Sequence, residues 1–386
     1  MKRPIKIAYC IPGLYATGGM ERVLTLKINY LADVLGYDIY IILTEEKELP
    51  PAYTLSNKVH LINFNLNFDH MHSTAPHLWQ RLWRYRQLQA IYKKRLTETL
   101  MQIRPDITIS VLRREINFLT SIKDGSKKIG EFHFSRQNYR SLEHLTFLPA
   151  AVRRELSKLW IKQLIHKLRK LDQFIVLTHE DEEMWPELNN VICIHNPASF
   201  KAGHTTDGTV HRAIAVGRYT YQKGFDLLLP AWQIVNQQHP DWELEIFGAG
   251  DRTDYQIQAK ELAIEQTCHL NGISNDIAAE MSKSSIFILS SRYEGMPMVI
   301  GEAMACAVPP VSFACPCGPR DIITDGIDGL LAENGNIAAL AEKIIYMIEH
   351  EEQRKQMGKQ AQQNIRKFYI DNIMKQWDEL LKKQRP

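Results

Sequence analysis

Ala213-Ile214-Ala215-Val216-Gly217-Arg218-Tyr219-Thr220-Tyr221-Gln222-Lys223-Gly224-Phe225-Asp226-Leu227-Leu228 holds the repeating unit of a parallel α/β layer in one stretch. A short apolar run ends in a glycine, and a polar loop with two cations follows. A second glycine then precedes an apolar-periodic segment that reads as a helix to His239. Downstream the alternation continues, with predicted strands Leu244–Phe247, Cys268–Leu270, Ile286–Ser290 and Pro310–Phe313. Helices are predicted at Tyr255–Gln266, Asp276–Ser284 and Val299–Ala307, and long amphipathic helices from Asn336 onward. Upstream, strands are predicted at Lys6–Cys10, Asp38–Leu43, Val59–Phe64, Ile107–Leu112, Lys128–His133, Gln173–Leu177 and Val191–His195, and Gly18-Gly19 opens a helix through Ala32. Such alternation predicts parallel sheets covered by helices. In these sheets ligands bind beyond the carboxyl ends of strands, which directs attention to the loops after Tyr9, Phe132, Val216, Phe247 and Leu289.

The chain has 386 residues, more than one hydrophobic core usually serves, so two domains are expected. The polar stretch from Asn196-Pro197 to Val210 is the linker candidate. A net charge of +3 hides an asymmetry: residues 1–196 carry 28 Lys+Arg against 20 Asp+Glu, leaving 19 against 24 in the remainder. A basic first half suits an anionic surface, although many soluble domains reach that balance without a partner. The six cysteines (Cys10, Cys193, Cys268, Cys306, Cys315, Cys317) show neither a paired framework nor zinc spacing and read as reduced thiols. The apolar run after Met1 is broken by Lys6 and stops at Pro12-Gly13, so it reads as a first strand and not as a leader. The longest apolar stretch, Met296 to Pro316, contains Glu302 and Pro309-Pro310 and is no membrane span.

Two groups of residues carry chemistry. Arg218 and Lys223 share one loop at a helix start, an arrangement that suits an anion such as a diphosphate; ordinary surface cations on a solvated loop read the same way. Glu294 follows a buried strand, and Glu302 stands eight positions on, beyond Gly295-Met296-Pro297, near the start of the next helix. Two carboxylates so placed can accept hydrogen bonds from sugar hydroxyls, which offer no charge to grip. An acid in a first helical turn is also favoured by the helix dipole alone, yet the apolar neighbours Val299, Ile300, Ala303 and Met304 count against a merely solvated face.

Gly217-Arg218, Gln222-Lys223-Gly224-Phe225, Glu294-Gly295-Met296-Pro297 and Glu302-Ala303-Met304-Ala305, taken in order, resemble family 4 of the retaining glycosyltransferases, enzymes of GT-B fold. Gly18-Gly19-Met20-Glu21 matches as well. The likeness spans nearly the whole second half, with Ala307 where the family often has glycine. It implies an α/β chain of two Rossmann-like domains with parallel sheets facing across a cleft. Residues 1–196 would form the acceptor-side domain and 197–368 the donor-binding domain, with a helix of about residues 369–386 returning to the first. Arg218 and Lys223 would bind the donor diphosphate, Glu294 and its neighbours Gly295, Met296 and Pro297 the donor sugar, and Glu302 the ribose. Asn271, Gly272 and Ile273 would pack on the base, and Gly18 and Gly19 would let a helix N-terminus approach the phosphate.

His133, in Gly130-Glu131-Phe132-His133, follows a strand at the cleft edge, where related enzymes place an acid–histidine near the donor sugar; a lone histidine is also often structural. Arg136 is a further candidate for phosphate or acceptor. Phe247-Gly248-Ala249-Gly250 has Thr253 where a dinucleotide fingerprint needs its third glycine. Glu180-Asp181-Glu182-Glu183 reads as an acid-rich helix start capped by Thr178. His70, His72 and His77 read as a mobile acceptor-side loop and not as a metal site. The stretches Trp79–Arg104 and Arg153–Lys170 each hold seven Lys/Arg with interleaved aromatics, which suits an anionic membrane surface or a solvated helix face.

The expected activity is transfer of a hexose or N-acetylhexosamine from a nucleotide-sugar, uridine-linked by preference, to a hydroxyl of a glycan or lipid-linked glycan. No cofactor, metal or nucleic acid is expected, and the location is cytoplasmic or peripheral on the inner face of the plasma membrane. The alternatives are a nucleotide-sugar epimerase of GT-B type and a non-catalytic nucleotide-sugar-binding protein.

Overall fold

The computed structural model describes residues 3–45, 49–68, 77–137, 139, 149–198, 203 and 205–385. His70, His72 and residues 199–202 and 204 of the linker candidate lie outside the described residues. Strands β1 (Lys6–Ile11), β2 (Asp38–Leu43), β3 (His60–Asn63), β4 (Ile107–Ser110), β5 (Lys127–Glu131), β6 (Gln173–Val176) and β7 (Val191–Cys193) form one sheet in the order β3-β2-β1-β4-β5-β6-β7. Its helices are α1 (Gly19–Asp33), α2 (Leu78–Ile103), α3 (Ala150–Leu168) and α4 (His179–Glu183). The second sheet takes β8 (Arg212–Val216), β9 (Glu243–Phe247), β10 (Cys268–Asn271), β11 (Ile286–Leu289), β12 (Pro310–Phe313) and β13 (Leu330–Ala332) in the order β10-β9-β8-β11-β12-β13. With it go α5 (Phe225–Gln238), α6 (Thr253–Glu261), α7 (Ile277–Ser282), α8 (Met298–Ala305), α9 (Pro319–Ile322), α10 (Ile337–Glu349) and α11 (Glu351–Asn364), and α12 (Ile370–Gln384) follows them.

All pairings between these strands are parallel. The central strands are buried on both faces, as β4 and β11 show at every position, which is why they read as unbroken apolar runs. In both sheets the strand order reverses beside the first strand of the series, between β1 and β4 and between β8 and β11. Loops diverge at those points and leave a crevice. The two crevices face each other across a cleft.

One apolar cluster runs through both halves, from Ile7, Leu24 and Ile28 to Ile214, Phe287 and Ala303. It also takes in Ile373, Met374, Trp377 and Leu381 of α12, whose buried stripe follows helical spacing. α12 lies against α1, where Tyr37 Oη donates to Asp378 Oδ1 at 2.5 Å and Tyr30 Oη to Asp371 Oδ1 at 3.2 Å. The chain thus passes between the sheets twice, and the two passages are joined by a backbone hydrogen bond from Ala198 N to Phe368 O at 2.8 Å. β13 and α9 have no counterpart in the sequence reading; at three and four residues they are too short to show a period.

Candidate active site

The loop after β8 is shaped by its glycines. Gly224 has φ +64°, and a Cβ there would collide with Ser290 O at the end of β11. Ser290 Oγ donates to Lys223 O at 3.0 Å, so the two loops at the second sheet's crevice are fastened together. Lys223 lays its aliphatic stem over Gly217 and brings Nζ to 2.7 Å from Glu294 Oε1. Glu294, 7% exposed, also accepts from Ser291 Oγ at 2.6 Å, and Gln222 Nε2 stands 3.5 Å from its other oxygen. Its backbone is clamped, N to Pro316 O and O to Cys317 N. Arg292 supports the loop from behind with a two-pronged pair to Asp226 and its guanidinium over the Tyr221 ring. Arg218 is exposed on the cleft wall.

Glu302 lies in the second turn of α8, not the first, so the helix dipole does not account for it. Its Oε1 receives Arg22 Nη1 at 3.0 Å, an ion pair that spans the cleft from α1. On that side α1 begins at Gly19 without a side-chain cap, and the space where a Cβ of Gly19 would stand is open. Uncapped N–H groups at the start of a fifteen-residue helix favour an anion. The two halves also meet at Gly295, where a Cβ would press on His133 O at 2.9 Å. The His133 side chain is 3% exposed. Its Nε2 stands 3.1 Å from Glu131 Oε1 at an angle that makes no hydrogen bond, and it has no other partner among the described residues.

Of the residues read from the sequence, Gly18, Gly19, His133, Arg218, Lys223, Glu294, Gly295, Met296, Pro297 and Glu302 line this one cleft of about 660 Å³. That volume suits a nucleotide-sugar-sized ligand. Asn271, Gly272 and Ile273 are not in its lining. They sit behind the Arg218 loop, with Asn271 O accepting from Tyr219 Oη, Gly272 O accepting from Gly248 N, and Ile273 exposed. Arg136 is turned away from the cleft: Glu187 holds its guanidinium at 2.7 and 2.8 Å, over the Trp185 ring. Thr178 does cap α4, accepting from Asp181 N at 3.1 Å, and burial pushes the Asp181 carboxyl up to about 6.

Sequence reasoning gave no role to Arg22, Gln222 or Ser291, though Gln222 lies inside a motif it quoted and the other two within three residues of one. It also missed a second pocket of about 400 Å³, which shares Met20 with the first. Arg113, Arg114, Glu21, Glu45, Tyr15 and Tyr139 line it, and Arg114 pairs with the buried Glu45 at 3.0 Å. Burial lowers the Arg113 guanidinium below its ordinary value, and its charge lies over the Phe134 ring. Among the described residues, two groups with metal-ligand chemistry, His179/Cys193/His195 and Glu243/Glu245/His269, stand apart from both pockets.

Comparison with known proteins bears on this geometry. Residues 198–364 match the model of the family described as glycosyl transferases group 1. An uncharacterized glycosyltransferase of Haemophilus influenzae is 26% identical over 97% of this chain and 99% of its own length. The Campylobacter jejuni GalNAc-α-(1→4)-GalNAc-α-(1→3)-diNAcBac-PP-undecaprenol α-1,4-N-acetyl-D-galactosaminyltransferase is 24% identical over 98% of each chain. Among solved structures, a mutant of Staphylococcus aureus TarM in complex with fondaparinux, α-GlcNAc-glycerol and UDP superposes with a TM-score of 0.75. It is 15% identical and covers 98% of this chain and 99% of its own. The chain is a glycosyltransferase-class enzyme of GT-B fold, related to enzymes that build bacterial surface and lipid-linked glycans.

Proposed function

We propose that the chain transfers a hexose or N-acetylhexosamine from a uridine-diphosphate sugar to a hydroxyl of a glycan or lipid-linked glycan, with retention at the anomeric carbon. The observation that carries this reading is the convergence of Arg218, Lys223, Glu294, Glu302, His133 and the α1 N-terminus on one cleft. The diphosphate lies between the two cations and the open start of α1, which together stabilise the charge that builds as the glycosidic bond breaks. Glu294 faces the donor sugar hydroxyls, Glu302 the ribose, and His133 the reacting end of the sugar. The adjoining pocket receives the acceptor sugar: its mixed Arg–Glu lining offers both donors and acceptors to hydroxyls, and its tyrosines offer flat faces. In this scheme the acceptor attacks from the face the leaving group departs, and a departing phosphate oxygen takes its proton. The uridine preference draws on TarM, crystallised with UDP, and the lipid-linked acceptor on the Campylobacter relative.

A thermal-shift screen of nucleotide-sugars, followed by NMR of the product linkage, tests the proposal. A UDP-sugar at a hundred times its Kd adds about 2.7 kcal/mol of stability, enough to raise the melting temperature by degrees. Stabilisation by UDP-sugars with an α-linked product from an α-linked donor is the expected result. Epimerised donor in the absence of acceptor would favour the epimerase reading, and binding without turnover the non-catalytic one.

A peripheral membrane location belongs to the same proposal. Among the described residues no helix is long and apolar enough to cross a membrane. On α2, Trp79 is 80% and Trp83 65% exposed beside Arg81, Arg84 and Arg86, and on α3 Leu159 and Trp160 are exposed among lysines and arginines. Such faces suit an anionic lipid surface. Sedimentation with anionic vesicles is expected at low salt and should fall as salt rises. No binding at low salt would remove this part of the proposal.

A further inference from the structure

Directly below His133 the first domain buries an ionic group that its core does not need. Glu131 ends β5 and is fully buried. One of its oxygens accepts from the Tyr9 hydroxyl of β1, and the other from Lys27 Nζ of α1. Tyr9 is fully buried and Lys27 is 1% exposed. Lys27 Nζ stands 3.4 Å from Tyr9 Oη and 3.8 Å from the centre of the Trp377 ring of α12. Burial alone holds the ammonium well below its ordinary pKa, a sign of how little solvent reaches it. Taking two charges this far from water is costly, and apolar residues of the same volume often serve stability as well or better. A sequence that places a charged Lys27 among the buried Val23, Leu24, Ile28 and Leu31 therefore calls for a reason outside packing.

The position of His133 supplies one. The oxygen of Glu131 that takes Lys27 is the atom 3.1 Å from His133 Nε2, and that nitrogen is otherwise unpartnered among the described residues. A small rotation of the imidazole would turn this approach into a hydrogen bond, which would fix the tautomer with the proton on Nε2 and Nδ1 free to accept. We propose that Glu131 is the positioning residue for His133, and that Lys27 and Tyr9, roofed by Trp377, hold its carboxylate for that task. The last helix of the chain thereby becomes part of the support of the reacting end of the cleft. This inference rests on the reading that His133 works at the donor sugar.

The test compares His133→Ala, the paired variant Glu131→Gln with Lys27→Met, and the triple variant combining all three, by UDP release from a turned-over UDP-sugar. The paired variant removes both buried charges together, so no lone charge is left in the core; Glu131→Gln alone, which strands Lys27, serves as a second measurement. The paired variant is expected to fold with an unchanged or higher melting temperature, to keep donor KM within about threefold, and to lose kcat on the order of 10²-fold, as a displaced reacting group does. The triple variant is expected to be no slower than His133→Ala, since both changes act through one imidazole. Wild-type kcat in the paired variant, or a further loss in the triple variant beyond His133→Ala, overturns the positioning role and leaves His133 in place. Wild-type kcat in His133→Ala removes the reading beneath it.

Discussion

Glu294→Gln is expected to lower kcat on the order of 10²- to 10³-fold while moving the melting temperature by only a few degrees. The two halves of that expectation come from different contacts. Gln retains an oxygen that can accept from Lys223 Nζ and Ser291 Oγ, now at 2.7 and 2.6 Å, and the backbone clamps at Pro316 and Cys317 do not involve the side chain. What is lost is the charge. A sugar losing its leaving group develops positive character at the ring, and a carboxylate against it is worth most in a cleft that excludes water. The amide also turns a donor toward Gln222 Nε2, 3.5 Å away, which adds a small local cost. Steady-state kinetics beside a melting curve separates the outcomes. A thermal defect with kcat intact at a permissive temperature would assign Glu294 to structure alone.

Lys223→Ala is expected to weaken donor binding by roughly 1.5–3 kcal/mol, the value of a charge-assisted hydrogen bond. That is about 10- to 150-fold in Kd. The side chain is only 16% exposed, so its contact with a diphosphate would be screened little by solvent. Truncation also strips Glu294 of its cation and leaves it with Ser291 and Gln222. Comparing ligands isolates the direct part. UDP and the intact donor should both lose affinity, and uridine, which carries no phosphate, should not. Calorimetric titration of the three ligands measures this directly. Unchanged affinity for UDP together with unchanged turnover would sink the diphosphate assignment.

The alternation of short apolar runs with helical periods was enough to read two parallel sheets, because strands buried on both faces leave a continuous local signature. β2 and β12 were read with the bounds the structure shows, and β1, β8 and β11 within one residue at either end. The helix that carries Glu302 was read from Val299 and starts one residue earlier, at Met298, which moves Glu302 from the first turn into the second. The loop of Asn271, Gly272 and Ile273 follows β10 as its strand pattern implies, yet its neighbours are Tyr219 and Gly248, outside the cleft lining. A local pattern says that a loop follows a strand; it does not say which way the loop leans.

The sequence by itself determined the sheet class, the loops at the crevices and the types of group they present: two cations, two carboxylates and an open helix start. Each of those follows from residues within a few positions of one another. Only the tertiary structure decided the pairings. Arg22 meets Glu302 across 280 positions and Lys27 meets Glu131 across 104, while the second pocket collects Tyr15, Glu45 and Arg113 from three separate loops. Such partners are set by how two sheets and a returning helix stack, an outcome of summed packing over the whole chain. No periodicity within a short window carries that information.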